Sequence, residues 1–113
     1  MPWDVAHYST AAGERSVQHF VTALPEPARV EAVALLVRLA QHGNALRPPH
    51  TKGLDDGLFE LRGRRHGVRI FFMFRPGRRI VLLGGIVKKR TSIPTATIRL
   101  MRARLQEVLD ADR

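Results

Sequence analysis

Apolar residues recur along this chain in two rhythms, and each change of rhythm marks a new element. Trp3, Val5 and Tyr8 alternate loosely with polar neighbours, which predicts a short first strand over residues 3–8. After a turn at 9–13 the spacing lengthens. Val17, Phe20, Val21 and Leu24 form one stripe of a helix that starts near Gly13 or Glu14 and ends at Leu24. Pro25-Glu26-Pro27 breaks it, and Pro27 suits the first turn of a second helix over 26–42. In that helix Val30, Val33, Ala34, Val37 and Ala40 are expected to face inward, flanked by Leu36. Gly43-Asn44 supplies the stop.

Residues 45–56 read as a loop, with Pro48-Pro49 and the turn residues Asp55-Asp56-Gly57. The rhythm then shortens to a strand's. Strands are predicted at 58–62, 68–74 and 80–87, joined by the glycine-flanked loop 63–67 and the turn at Pro76-Gly77. Such short turns require an antiparallel meander. Beyond Lys88-Lys89-Arg90, Ile98, Met101, Leu105, Val108 and Leu109 make the stripe of a last helix, with Ser92 or Thr95 as its N-cap. The expected order is β-α-α-β-β-β-α in one domain, 1–113. It is an α+β fold with the helical hairpin on one face of a small antiparallel sheet and the other face partly open.

Strand alternation assigns side chains to those faces. Pairing Arg62 with Arg69 places Glu60 opposite Phe71 and Phe59 opposite Phe72. Phe59, Leu61, Ile70, Phe72 and Phe74 then fall in the core, and Glu60, Arg62, Arg69 and Phe71 on the open face. A slip of one residue would invert this assignment, but neither arginine has a comfortable inward alternative. Gly84-Gly85 clears both faces of the last strand, for tight helix packing or for close approach of a ligand backbone.

Charge changes the picture most. The net charge is +9, and ten of the nineteen basic residues lie between Arg62 and Arg90; after Glu60 no acid occurs until Glu107. That bias points to a polyanionic partner, nucleic acid before an acidic protein or an anionic membrane. Two adjacent arginines present planar donor forks suited to a phosphate between them. Lys88 and Lys89 reach the same rim, and Phe71 offers a ring on which a base could stack. The opposing reading is a solvated basic face with Glu60 paired to Arg62. There is no cysteine, which excludes a disulfide scaffold and fits a reducing cytoplasm. No run is long enough to span a membrane, and the start lacks the features of a signal peptide. His7, His19, His42, His50 and His66 show no metal-ligand spacing, and no Gly-rich phosphate loop is present, so neither metal nor cofactor is expected.

The segments Lys52-Gly-Leu-Asp-Asp-Gly-Leu-Phe-Glu-Leu-Arg62, Val68-Arg-Ile70 and Ile80-Val-Leu-Leu-Gly-Gly-Ile-Val-Lys-Lys-Arg-Thr91, with Pro94, resemble the HigB-type, phage-related branch of the RelE/ParE toxins. The resemblance extends over nearly the whole chain. It implies a RelE-like fold and the toxin half of a bacterial type II toxin–antitoxin module. The implied activity is a ribosome-dependent, metal-independent mRNA endoribonuclease. Its partners would be the ribosome, mRNA and a cognate antitoxin of the helix-turn-helix kind. By position, Arg62, Arg69, Lys88 and Lys89 match the residues expected to be catalytic, and Arg64, Arg65, Phe71 and Arg90 are expected to contact RNA. The chain departs at Val68 and Ile86, where relatives carry aromatic residues. Two other functions fit the same features: a ParE-like toxin acting on a protein such as gyrase, and a non-catalytic basic binding module.

Chemically, the expected reaction needs a deprotonated 2′-hydroxyl, an aligned phosphate and a protonated leaving oxygen. Arg62 and Arg69 would stabilise the developing phosphate charge, and Lys88 or Lys89 would act as base or acid. Glu60 would either serve as the base or orient Arg62.

Overall fold

The computed structural model describes residues 2–89 and 91–112. Its elements are β1 (Asp4–His7), α1 (Ser16–Ala23), α2 (Glu26–His42), a 3₁₀ turn (Gly43–Ala45), β2 (Thr51–Gly53), β3 (Phe59–Arg62), β4 (Val68–Arg75), β5 (Arg79–Val87) and α3 (Thr95–Ala111). The sheet runs β1-β5-β4-β3-β2. β1 pairs parallel to β5, and the other neighbours are antiparallel. Among the described residues no helix is long and apolar enough to cross a membrane.

The expected meander is present with the expected register: Arg62 opposite Arg69, Glu60 opposite Phe71, Phe59 opposite Phe72. One additional strand, β2, lies within the stretch expected to be loop. It is three residues long and pairs with β3, and the Thr51 hydroxyl anchors its start by donating to the Leu46 carbonyl at 3.0 Å. A strand so short, ending in glycine, has too few side chains to show a period of two. Helix α1 starts at Ser16, slightly later than expected. Neither Ser92 nor Thr95 caps α3, whose N-cap position is Pro94, without a side-chain hydrogen bond.

Both faces of the sheet are packed. On one, Leu61, Val68, Ile70, Phe72, Ile80 and Leu82 meet Val17 and Leu24 from the α1 side and Ala28, Ala32, Leu35 and Leu39 of α2. On the other, Phe71, Met73, Val81 and Leu83 meet Met101 and Leu105 of α3. The face expected to be partly open is therefore closed over much of its area by the last helix, along the stripe that periodicity predicted for it. Helix α2 presents a different face from the one expected. Ala28, Ala32, Leu35 and Leu39 are buried, while Val30, Val33 and Val37 are 62%, 48% and 51% exposed. Both sets have helical spacing, so periodicity could not choose between them. The inward set combines small alanines, which admit close approach to the sheet, with leucines that reach into it.

The two glycines of β5 serve this packing. A Cβ on Gly84 would lie 2.6 Å from the Met101 methyl carbon, and one on Gly85 would collide with the Phe20 ring. Close helix approach on both faces thus accounts for Gly84-Gly85. Just before them the ladder shifts, because Phe71 opposes Gly84 but Phe72 opposes Leu82, leaving Leu83 as a bulge. Its carbonyl accepts instead from the Ser16 hydroxyl and from Arg104 Nη1, each at 2.8 Å.

Candidate nucleic-acid interface

The β3–β4 hairpin gathers most of the expected site at one end of the sheet. Arg62 and Arg69 oppose each other across the pair, which brings their Cβ atoms to about 5 Å of each other. Their environments differ. Arg62 is partly exposed, its side chain retaining 34% of its surface, and its Nε lies 3.3 Å from Glu60 Oε1. Arg69 is 9% exposed. Its Nη1 donates to the Gly63 and Val68 carbonyls, both at 2.9 Å, so the guanidinium braces the loop that connects the strands. Burial pushes the Arg69 guanidinium below its ordinary pKa, opposed by the nearby Glu60 carboxylate. The Glu60 side chain is only 3% exposed and engages Arg62. The ion pair holds the Arg62 side chain against the strand.

Arg64, Arg65 and His66 are exposed at the loop tip. Glu31 of α2 fixes that loop: its Oε2 accepts from the Arg65 backbone N–H at 3.1 Å. A Cβ on Gly63 would lie 2.5 Å from Glu31 Oε1, so a side chain there would push aside the carboxylate that holds the loop. At the other root of the loop, Gly67 has φ 69°, a conformation costly for residues with a Cβ. Its carbonyl accepts from the Lys88 N–H at 2.7 Å. That bond sets the end of β5 against the hairpin loop. Ile86 pairs with Arg69, so the run of β5 carries Lys88 toward the Arg62–Arg69 face; Lys89 lines one groove with Lys88, Ser92 and Pro94 and borders another with Leu24, Pro25 and His66. The expected quartet is thus split: Arg62, Arg69 and Lys88 share a face, and Lys89 stands at its edge.

One expected contact is corrected. Phe71 is fully buried under α3, so it belongs to the core and offers no ring for a base to stack on. Arg90 lies outside the described residues.

The structure also assembles residues that the sequence reading left apart. A cleft of about 520 Å³ between α2 and the β3–β4 hairpin is lined by Glu31, Arg38, His50, Arg62, Arg64 and Arg65. Arg38 Nη1 lies 3.0 Å from His50 Nε2. Only the seven-residue step from Glu31 to Arg38, two turns along one side of α2, hinted at this wall. Nothing in the spacing linked either residue to His50. Among the described residues no group of three or more His, Asp and Glu side chains is placed to hold a metal ion.

This architecture is shared with a chain from the crystal structure of the toxin–antitoxin complex RelBE2 of Mycobacterium tuberculosis. The TM-score is 0.54 at 17% sequence identity, over 78% of this chain and 100% of that one. The fold is therefore the RelE-like α+β fold that the sequence implied. Residues 19–106 match the family described as phage derived protein Gp49-like (DUF891), and the chain belongs to that family. No curated protein matches it.

Proposed function

We infer that this protein is the toxin of a type II toxin–antitoxin module, of the HigB type. In this reading it is a ribosome-dependent endoribonuclease that cuts mRNA, and a cognate antitoxin of the helix-turn-helix kind neutralises it in the cytoplasm. The observation that carries this reading is the cationic end of the sheet. Arg62, Arg64, Arg65, Lys88 and Lys89 surround the β3–β4 hairpin, and the two nearest carboxylates, Glu60 and Glu31, are already engaged by Arg62 and by the loop backbone. The RelE-like fold and the residue-by-residue resemblance support the same reading.

The chemistry is transphosphorylation. The 2′-oxygen attacks the adjacent phosphorus, the P–O5′ bond breaks, a 2′,3′-cyclic phosphate forms, and the 5′-oxygen leaves with a proton. Arg62, oriented by Glu60, and Lys88 aim donors at the phosphate oxygens, where negative charge grows in the transition state. Arg69 acts indirectly, by holding the loop that carries Arg64 and Arg65. In this reading Lys88 exchanges a proton with the leaving or attacking oxygen. Without the expected Phe71 platform, binding rests on phosphate contacts more than on stacked bases.

The test is to map new RNA 5′ ends after brief induction, and then to incubate purified protein with mRNA with and without ribosomes. Cuts within coding regions that appear only with ribosomes, and that disappear in an Arg62→Ala, Lys88→Ala double variant, support the reading. Growth arrest with intact mRNA and broken DNA would move the protein to the gyrase-directed class. Absence of growth arrest would leave it a binding module.

A further inference from the structure

We propose that the cleft between α2 and the β3–β4 hairpin is a second phosphodiester subsite, formed by Arg38 and His50 together with Arg62, Arg64 and Arg65. It extends the path of a single-stranded RNA from the sheet end around the edge of the sheet. This proposal rests on the nucleic-acid reading above and deepens it.

Four arginines and a histidine line a cleft of about 520 Å³, more than enough for a phosphate with its sugar neighbours. Glu31 is the one carboxylate in its lining. That carboxylate is turned to the loop, accepting from the Arg65 N–H at 3.1 Å with its other oxygen packed against Gly63. It makes no ion pair with the cleft arginines among the described residues, and the four guanidinium groups outnumber its single charge. Arg38 is on the exposed side of α2, and its Nη1 is held 3.0 Å from His50 Nε2. Because arginine only donates, His50 Nε2 accepts, so the ring proton sits on Nδ1. That Nδ1 is buried without a partner in the described residues. The contact leaves the remaining Arg38 N–H groups for a ligand.

Arg62 is the junction. It lines this cleft and is also the partly exposed member of the Arg62–Arg69 pair. One backbone can therefore touch Lys88 and Arg62 at the sheet end and Arg64, Arg65 and Arg38 on the α2 side. The ligand chemistry is repeated monoanionic phosphodiesters on a flexible strand, which a fan of arginine forks suits better than a single-point cation.

The test measures binding of a fluorescein-labelled twelve-residue oligouridylate to the full chain by fluorescence polarisation, across a salt series. Arg38→Ala is expected to weaken binding roughly tenfold, the scale of one lost charge-assisted contact. It should also lower the slope of log K against log salt by about 0.7, the single-strand value per phosphate contact. Arg38→Lys should recover part of the loss. Arg15→Ala removes the same charge at the opposite, β1 edge of the sheet and serves as the control. Circular dichroism checks that each variant is folded.

If Arg38→Ala binds no worse than Arg15→Ala, the subsite is refuted, even where induced cells show ribosome-dependent cuts. If Arg38 governs binding of polyglutamate but not of oligouridylate, the cleft takes an acidic polypeptide and the proposal is also overturned. Arg38-dependent RNA binding in a protein that cuts no mRNA supports the subsite and removes the nuclease reading alone.

Discussion

Cationic side chains cluster at both ends of the β4–β5 ribbon, and the two ends use them differently. At the hairpin turn, Arg75 Nε and Arg79 Nη2 both reach Asp112 Oδ2, at 2.8 and 3.1 Å, while Arg78 lies over the Trp3 ring, 5.1 Å from its centroid. The hydrogen bond from Arg75, with that from Arg79, holds the Asp112 carboxyl below its ordinary pKa. At the far end, Arg64, Lys88 and Lys89 form no ion pair among the described residues. Of the carboxylates near them, buried Glu60 is paired to Arg62, and half-buried Glu31 accepts from the loop backbone. Positive charge thus closes the molecule at one end, tying the C-terminal helix to the sheet, and is left for a partner at the other. Composition alone could not make that distinction, because it depends on where Asp112 lands.

The largest effect that would sharpen this contrast lies between the two ends. Phe71→Ala should destabilise the fold by about 3–5 kcal/mol, the cost of emptying a well-packed aromatic site. Urea unfolding would measure it, and the folded fraction should bind oligouridylate unchanged. A selective loss of RNA affinity would instead return Phe71 to the binding surface. Next, the Arg62→Ala, Lys88→Ala double variant should lose about a hundredfold or more in mRNA cutting, as expected when donors aimed at developing charge are removed. Its unfolding midpoint should fall, because Arg62→Ala leaves the buried Glu60 carboxylate without its ion-pair partner, so cutting is compared on protein that circular dichroism shows to be folded.

Arg69→Ala should act through stability, with activity per folded molecule reduced less than in the double variant. It strips the Gly63 and Val68 carbonyls of their buried donor and costs about 1–3 kcal/mol of stability. A stable Arg69→Ala protein with no activity would make Arg69 a direct substrate contact. At the paired end, Asp112→Asn should leave mRNA cutting intact and slightly strengthen salt-sensitive RNA binding, because it releases Arg75 and Arg79.

The smallest effect concerns pH. Burial, with the charge of Arg15, lowers the His7 pKa from 6.5. The unfolded chain then binds more protons than the folded one as pH falls below about 6.5, so His7 makes stability decline toward acid and not toward base. His7→Gln should flatten that part of the stability–pH curve, followed by thermal unfolding between about pH 5 and 7.

The register of the central hairpin was legible because two arginines had no inward alternative, so one physical constraint fixed every residue of β3 and β4. The stripe of α3 was legible too, but its destination was not. Whether an amphipathic helix folds back over a sheet depends on the geometry of the connection that precedes it. Helix α2 carries two apolar stripes, and the one that packs was chosen by the volume available beneath it, which periodicity does not encode. Of the site, Arg62, Arg69 and Lys88 came together as alternation required. Phe71 was lost to the core for the same reason that α3 was misplaced. Arg38 and His50 were unreadable as a pair, since their approach depends on the path of the chain between α2 and β2.

The bulge at Leu83 gives the three layers a shared fastening. One carbonyl oxygen, surplus to the ladder, holds a hydroxyl from the helical layer above the sheet and a guanidinium from the helix below it. Slackening either outer layer therefore loosens the grip on the other. Amide hydrogens in α1 and α3, far apart in the chain and on opposite sides of the sheet, should open to exchange as one unit, not as two independently fraying helices.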